Sequence, residues 1–292
     1  MVIIKLQGGL GNQMFQYACG KAFALKHDKT LLIDDSFLNK NQNTTDEFTP
    51  RAYALGVFNL DTRVADELLL KSFEGNGIFK KVLKQLQLTY RKSYQELPGM
   101  EADQLDSVQP PVLLNGYWQS EQYFAAFNTE TRKTFEFNIP AELEDRISTM
   151  NKTNSVSIHY RRGDYLTNPV AQKVLGTLDE AYYQAAVQKV KTEIVNPFFY
   201  IFSDDTEWVN NNLPLTDNYQ VIDSYSGDKH WYDMLLMSKC KHHIIANSSF
   251  SWWGAWLNPA PQKMVIAPKR WFADEEMNAR AGNLIPSAWL RV

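Results

Sequence analysis

The feature that most constrains the fold is the regular alternation of strand-like and helix-like segments after residue 154. Short apolar segments are separated by helical patterns, with strands predicted at 156–160, 198–202, 219–222, 243–246 and 264–267 and helices near 179–194, 231–240 and 249–256. Strands joined through helices over short connections form a parallel sheet with helices on its faces. The second half of the chain is therefore predicted to be an α/β domain.

The first residues predict another domain of the same class. A strand at 2–6, a loop with three glycines, a helix over 13–26 and a strand at 30–34 follow one another, which is how a parallel α/β sheet begins. Farther along, the pattern predicts a loop at 36–50, a helical stretch over 63–94, a strand at 112–116 and helices at 121–135 and 141–150. We place the boundary within residues 138–153 and divide the 292 residues into domains of 1–145 and 146–292.

Composition excludes several classes of function. The net charge is −3, from 30 basic and 33 acidic residues, so no overall positive field exists to hold nucleic acid. The two cysteines, Cys19 and Cys240, lack the spacing of a metal site and are expected to be free buried thiols of a reducing compartment. The first residues lack the long apolar run and the charged region of a secretory leader, and no run of about 18 apolar residues occurs, so neither a leader nor a membrane span is expected. We expect a cytoplasmic protein.

Three polar clusters follow predicted strands of the second domain, at 159–164, 203–205 and 247–251. Ligands of open α/β sheets bind beyond the carboxyl ends of the strands, so this shared position indicates a site. Arg161 and Arg162 have fork-shaped donors that match a phosphate. One arginine can hold a diphosphate while Asp164 braces its neighbour. A structural salt bridge with Asp164 is the alternative interpretation.

The remaining motifs each allow a structural interpretation as well. Ser248 and Ser249 suit a phosphate at a helix start, and they also suit a plain helix cap. Ser203 and Asp204 fit either a ligand contact or a turn. The glycine loop lacks a Walker or dinucleotide spacing, and a tight turn explains it, although its amide side chains Asn12 and Gln13 can reach sugar hydroxyls. No Asp-x-Asp sequence occurs, so a metal site is not expected.

Taken together, the chain resembles the bacterial α-1,2-fucosyltransferases over its whole length. The resemblance rests on four blocks in order: IIKLQGGLGNQMFQYA at 3–18, HYRRGDY at 159–165, YIFSDD at 200–205 and NSSFSWWGAWLN at 247–258. It implies a glycosyltransferase-B (GT-B) fold, with two Rossmann-like domains facing across a cleft. The C-terminal domain would hold GDP-β-L-fucose, and the N-terminal domain would help to hold the acceptor sugar.

The resemblance also implies roles for individual residues. In the HxRR pattern, Arg161 is expected on the β-phosphate with Arg162 beside it, and His159 near the guanine nucleoside. Asp233 is expected to accept both guanine N–H groups. The other assignments are phosphate and donor contacts for Ser248, Ser249, Ser203 and Asp204, and acceptor or fucose contacts for Asn12 and Gln13.

One departure concerns the catalytic base. Core α-1,6-fucosyltransferases carry an acidic residue five positions after the aspartate of HxRRxD, and that position here is Pro169. The base is therefore not carried over. Asp164 is a candidate base as well as a candidate brace for the arginines.

The activity implied is galactoside α-1,2-L-fucosyl transfer, from GDP-L-fucose to a galactose-terminated glycan such as an O-antigen, with inversion and without a metal or other cofactor. Two alternatives remain open: a GDP-fucose transferase of other regiochemistry, resembling protein O-fucosyltransferases, and a non-catalytic sugar-nucleotide or glycan-binding protein. The basic residues Lys80, Lys81, Lys84, Arg91 and Lys92 form either a solvated helix face or a surface attracted to the inner membrane or a membrane-linked glycan carrier.

Overall fold

The structure is a computed structural model that describes residues 1–41, 49–74, 92–97, 99–213 and 217–292. Its described residues form two compact units, an N-terminal unit of 1–41 and 50–134 and a C-terminal unit that begins at residue 135. Each unit contains a parallel sheet, which confirms the predicted α/β class. The helix Ala141–Asn151, which the predicted boundary divided, belongs entirely to the C-terminal unit.

The N-terminal unit is built on a four-stranded sheet in the order β2–β1–β4–β3. Its strands are β1 (Val2–Lys5), β2 (Leu31–Asp34), β3 (Lys92–Gln95) and β4 (Val112–Asn115). Its helices are α1 (Leu10–Lys26), α2 (Ser36–Lys40), α3 (Glu67–Glu74), α4 (Ala102–Asp106) and α5 (Asn128–Thr134). Short 3₁₀ turns lie at Leu55–Val57, Glu121–Tyr123 and Ala125–Phe127.

The C-terminal unit is built on a six-stranded sheet in the order β10–β9–β8–β5–β6–β7. Its strands are β5 (Asn154–Tyr160), β6 (Pro197–Ser203), β7 (Tyr219–Val221), β8 (His242–Ile244), β9 (Val265–Ala267) and β10 (Leu290–Arg291). Its helices are α6 (Ala141–Asn151), α7 (Gly163–Thr167), α8 (Pro169–Val174), α9 (Glu180–Glu193), α10 (Thr206–Asn212), α11 (Trp231–Lys239), α12 (Ser249–Leu257) and α13 (Glu275–Ala279). A 3₁₀ turn lies at Gly227–Lys229.

Close packing explains why these segments form sheets covered by helices. In the N-terminal unit, a methyl group added at Gly20 of α1 would lie 2.9 Å from the Cβ of Ile4 in β1, so glycine lets the helix approach the strand. In the C-terminal unit, β5 is buried along six of its seven residues. Its apolar residues Val156, Ile158 and Tyr160 alternate with Ser157 and His159, and this period of two is why 156–160 could be recognised as a strand.

Several predicted elements differ from the structure. The helix predicted over 63–94 is α3 followed later by β3, and residues 75–91 lie outside the described residues together with most of the predicted basic face. Two short helices, α7 and α8, occupy the connection between β5 and α9, for which the sequence pattern predicted no helix. None of the helices in the described ranges has the length and apolar character needed to cross a membrane.

Candidate functional site

The three polar clusters of the C-terminal unit lie at one edge of its sheet. β5 is flanked by β8 and β6, and all three strands run parallel, so their carboxyl ends meet there. The register pairs Tyr160 with Ser203, the last residues of β5 and β6. The chain segments that begin with Arg161 and Asp204 therefore leave the sheet side by side.

Each arginine of the pair is held by an aspartate from the β6 side. Arg161 Nη1 lies 2.7 Å from Asp204 Oδ2, and Arg162 Nε lies 3.2 Å from Asp205 Oδ2. The other oxygen of Asp204 accepts the backbone N–H of Arg162 at 2.9 Å. Because the two arginine side chains are only 22% and 19% exposed, these pairs are partly shielded from water. The cations are fixed in place before any ligand arrives.

The expected bracing partner, Asp164, lies in α7, and its side chain is outside the described part of the chain. The structure places the carboxylates of Asp204 and Asp205 on the arginines, and bracing by Asp164 stays a prediction. Gly163 makes this arrangement sterically possible, since a methyl group there would lie 2.5 Å from Asp204 Oδ2.

Two aromatic rings complete the surroundings of the guanidinium groups. Arg162 Cζ lies 3.7 Å from the ring centroid of Trp208, within cation–π distance. Arg161 Cζ lies 5.4 Å from the ring of Tyr165. With Nε on Asp205 and one face on Trp208, the two terminal nitrogens of Arg162 have no hydrogen-bond partner among the described residues. Trp208 was missed by the sequence analysis, although it follows the SDD cluster by three residues.

His159, the penultimate residue of β5, is 5% exposed. Burial lowers the pKa of His159 to about 4, opposed by the charge of Asp204 and assisted by that of Arg161. The imidazole is therefore neutral near pH 7. Within the described residues its Nδ1 atom has no hydrogen-bond partner, so this nitrogen can accept from or donate to a ligand.

Ser203 and Ser248 make the local contacts that were the alternative interpretation, a turn and a helix cap respectively. Ser203 Oγ accepts the backbone N–H of Asp205 at 3.0 Å, and Ser248 Oγ accepts that of Phe250 at 3.3 Å at the start of α12. Ser249 is the first residue of α12 and is half-buried. A ligand contact by these serines stays a prediction.

Asp233 lies in the first turn of α11 and is 9% exposed. Burial raises the pKa of Asp233 to about 7, against the opposing effects of the Tyr225 backbone N–H and the positive charge of Arg146. Its Oδ1 atom has no hydrogen-bond partner in the described ranges. A buried, unpaired acceptor oxygen is uncommon in folded proteins and indicates a ligand-binding position.

In the N-terminal unit, the two amide residues of the glycine loop have different environments. Gln13 is fully buried, and its amide bonds Gly8 O and Ala52 O at 2.8 Å and the Ala54 N–H at 2.9 Å. Its observed contacts thus join the glycine loop to residues 52–54. Asn12 is half-buried, and its Oδ1 accepts from Gln119 Nε2 at 2.8 Å.

A carboxylate of the N-terminal unit was missed by the sequence analysis. Glu96 follows β3, and its Oε2 accepts the backbone N–H groups of Tyr117 and Trp118 at 2.7 and 2.8 Å. Burial raises the pKa of Glu96. Trp118 has a φ of 53°, in the left-handed region, and the carboxylate helps to hold this conformation. No local pattern identified Glu96, because the segment before it was predicted to be helical.

No cluster of three or more histidine, cysteine, aspartate or glutamate residues that could hold a metal ion occurs within the ranges that the structure describes. Cys19 and Cys240 are both buried and free, as predicted.

Comparison with known proteins gives consistent results. The profile described as glycosyl transferase family 11 matches residues 1–290. An alpha-1,2-colitosyltransferase of Escherichia coli is 35% identical over 302 residues, covering 100% of this chain and 99% of that protein. The O-antigen biosynthesis glycosyltransferase WbnK of Escherichia coli is 34% identical, covering 92% and 94%. The human galactoside alpha-(1,2)-fucosyltransferase 1 is 26% identical over 174 residues, covering 54% and 46%. The chain is a glycosyltransferase and belongs to glycosyl transferase family 11.

Proposed function

We propose that the chain is a galactoside α-1,2-L-fucosyltransferase, which transfers fucose from GDP-β-L-fucose to the 2-hydroxyl of a galactose residue in a glycan. The observation that carries the proposal is the arginine pair fixed at the carboxyl edge of β5, in a chain of glycosyl transferase family 11. Relatives named for α-1,2 transfer and for O-antigen biosynthesis support the linkage and the class of acceptor.

The arginine pair suits the leaving group of this reaction. Breaking the bond between the anomeric carbon and the β-phosphate oxygen leaves negative charge on GDP, and the sugar becomes oxocarbenium-like. Arg162 contacts Asp205 through Nε, and its two terminal nitrogens form a guanidinium fork that matches two phosphate oxygens. Donors held in place before the reaction stabilise developing charge without reorganising.

The reaction balances with one proton released. The acceptor 2-hydroxyl oxygen forms the new bond to the anomeric carbon from the face opposite the departing GDP, so the β-linked donor gives an α-linked product. Its proton leaves late in the reaction, to water or to a nearby carboxylate. Asp164 remains the candidate carboxylate, since Pro169 occupies the position of the base in core α-1,6-fucosyltransferases.

A second donor has a specific observation in its favour. The relative with 35% identity over the whole chain is named as a colitosyltransferase. Colitose is L-fucose without its 3-hydroxyl group, so the two donors share GDP, the reacting carbon and the linkage. Initial rates with GDP-fucose and GDP-colitose, each with β-galactoside acceptors, distinguish the two sugars.

The central test is substitution of Arg161. Arg161→Ala should lower kcat by about 100-fold or more, as expected for loss of one donor to a developing anion. Arg161→Lys should also be slow, since an ammonium lacks the planar fork. The readout is release of GDP with lactose as acceptor, together with the melting temperature. Arg280→Ala is the matched control, since Arg280 also pairs with a carboxylate, that of Glu276.

Three results would contradict parts of the proposal. Near-normal turnover by a folded Arg161→Ala protein would remove the arginine pair from the mechanism. Transfer to a peptide rather than to lactose would favour the other regiochemistry. Loss of activity in EDTA, restored by a divalent ion, would contradict the proposed independence from metals.

A further inference from the structure

Two buried polar atoms of opposite character lie unpaired on neighbouring helices of the C-terminal unit. They are Oδ1 of Asp233 on α11 and Nη1 of Arg146 on α6, and neither has a hydrogen-bond partner among the described residues. The first turns of the two helices are tied together, because Glu142 of α6 accepts from Lys229 Nζ at 2.8 Å and from Tyr232 OH at 3.0 Å.

The two side chains influence each other without bonding to each other. The charge of Arg146 favours the ionised form of Asp233, yet no ion pair joins the two side chains within the described part of the chain. An unpaired buried donor or acceptor is costly in a folded protein. Here one acceptor and one donor are left unpaired on two helices in contact, and one ligand group lying between them would satisfy both.

The chemistry of the bridging group is restricted. It must present donors to the carboxylate of Asp233 and an acceptor to the guanidinium of Arg146. The Watson–Crick edge of guanine presents N2–H, N1–H and O6 in a row, two donors followed by an acceptor. Adenine presents an acceptor at N1 and a donor at N6, so it would oppose both residues.

We propose that Arg146 reads guanine together with Asp233, by donating to O6 while Asp233 accepts N1–H and N2–H. This inference rests on the proposed use of a guanine nucleotide donor and adds a residue and a selection mechanism to it. The raised pKa of Asp233 supports it, because burial leaves the carboxylate in need of donors.

The test combines altered bases with altered residues. Inosine diphosphate lacks only the 2-amino group, and 6-thioguanosine diphosphate replaces only O6, with the weaker acceptor sulfur. Calorimetric affinities for GDP and these two analogues are measured for the wild type, Arg146→Met and Asp233→Asn. Lys152→Met is the control, since it removes a cation at the exposed end of the same helix.

The expected result is a crossed pattern. The wild type should bind GDP about 10- to 100-fold more tightly than either analogue, the range for losing one hydrogen bond to a charged group. Arg146→Met should lose the preference for GDP over the thio analogue and keep the preference over inosine diphosphate. Asp233→Asn should do the reverse, and Lys152→Met should behave as wild type.

The inference would be overturned if the effect of Arg146→Met did not depend on which atom occupies position 6 of the base. If Arg146→Met weakens all three nucleotides equally, or weakens none, Arg146 does not contact O6. Arg146→Lys retains the charge and guards against misfolding, and it should show a reduced preference for GDP over the thio analogue. Fucose transfer by the wild type is measured separately. If the wild type transfers fucose but Arg146→Met keeps its preference for GDP over the thio analogue, only the inference is wrong. If Arg146→Met loses that preference but the wild type does not transfer fucose from GDP-fucose, only the proposed function is wrong.

Discussion

A single added methyl group at Gly163 provides a sharp test of the arginine site. The Cβ of alanine there would lie 2.5 Å from Asp204 Oδ2 and 3.0 Å from its Cγ. Gly163 begins α7 and is not among the residues with positive φ, so the backbone itself accepts alanine. The three described atoms nearest to the added methyl group all belong to Asp204, whose carboxylate holds Arg161 and the backbone N–H of Arg162.

The size of the effect follows from these distances. An ordinary contact begins at 3.4 Å, so the oxygen must move by about 0.9 Å. A movement of that size extends the 2.7 Å contact between Arg161 and Asp204 beyond hydrogen-bond range. A charge-assisted hydrogen bond contributes about 1.5–3 kcal/mol, and partial exposure of the pair reduces this to about 1–2 kcal/mol. We expect Gly163→Ala to lower kcat/KM by about 5- to 30-fold.

The assay is the initial rate of GDP release from GDP-fucose with lactose, beside the melting temperature of each variant. Gly282→Ala is the matched control, because no atom lies within 4 Å of a methyl group added there. Asp204→Ala removes the obstacle, so Gly163→Ala combined with Asp204→Ala should be no slower than Asp204→Ala alone. Wild-type kinetics for Gly163→Ala, or a double variant slowed by the product of the single effects, would refute the reasoning.

Three other predictions follow from the same unit. Trp208→Leu removes the ring beneath Arg162 and should lower kcat/KM by about 2- to 5-fold, the range of a partly exposed cation–π contact; the same change in an Arg162→Ala protein should have no further effect on turnover. GDP affinity should fall by up to about tenfold per pH unit below pH 7, because burial raises the pKa of Asp233 to about 7 and guanine requires the carboxylate; calorimetry should show this slope in the wild type and not in Asp233→Asn. Burial holds the pKa of His243 well below its usual 6.5, so its contribution to the free energy of unfolding is present above pH 6.5 and lost as the pH falls below that value. Urea titrations from about pH 5 to 8 should therefore show a smaller dependence of the free energy of unfolding on pH for His243→Gln than for the wild type.

The C-terminal sheet was predictable because its central strands are buried on both faces. The run 198–202 is continuously apolar, and in 156–160 the apolar residues Val156, Ile158 and Tyr160 alternate with polar ones, so both segments stand out as strands. The short helices α7 and α8 were not predictable in the same way, since each has only one turn or slightly more and little apolar periodicity to detect. The local sequence pattern thus identified the central strands of the unit and missed the short helices α7 and α8 at the carboxyl edge of its sheet.

The partners of the arginines depend on information that no local pattern contains. Asp164 was the expected brace because it follows the arginines directly, whereas Asp204 is 42 positions from the Arg162 backbone N–H that it accepts. Choosing between them requires the order of the strands and the register of β5 against β6. Both are fixed by the packing of the whole unit.

Gln13 illustrates the same limit in the N-terminal unit. An amide beside a glycine loop suggests a hydroxyl-binding group, and this was the prediction. In the structure the amide bonds Gly8 O and, about forty positions away, Ala52 O and the Ala54 N–H, and a contact with a sugar hydroxyl stays a prediction. Because the amide of Gln13 bonds backbone groups of other residues in the chain, it helps to fix the loop. Asn12 is the more exposed of the two residues.

If the proposed function is correct, the acidic partners also change how the arginines would act on a diphosphate. Two guanidinium groups and two carboxylates carry no net charge between them, so this edge does not attract GDP as a bare cationic patch would. The advantage of this arrangement is that it fixes the direction in which the arginine N–H groups point. Asp205 holds Nε of Arg162 and Trp208 covers one face, which leaves the terminal N–H groups with few alternative orientations. The ordering of these side chains then takes place when the chain folds, and it need not be repeated when charge develops on the leaving phosphate.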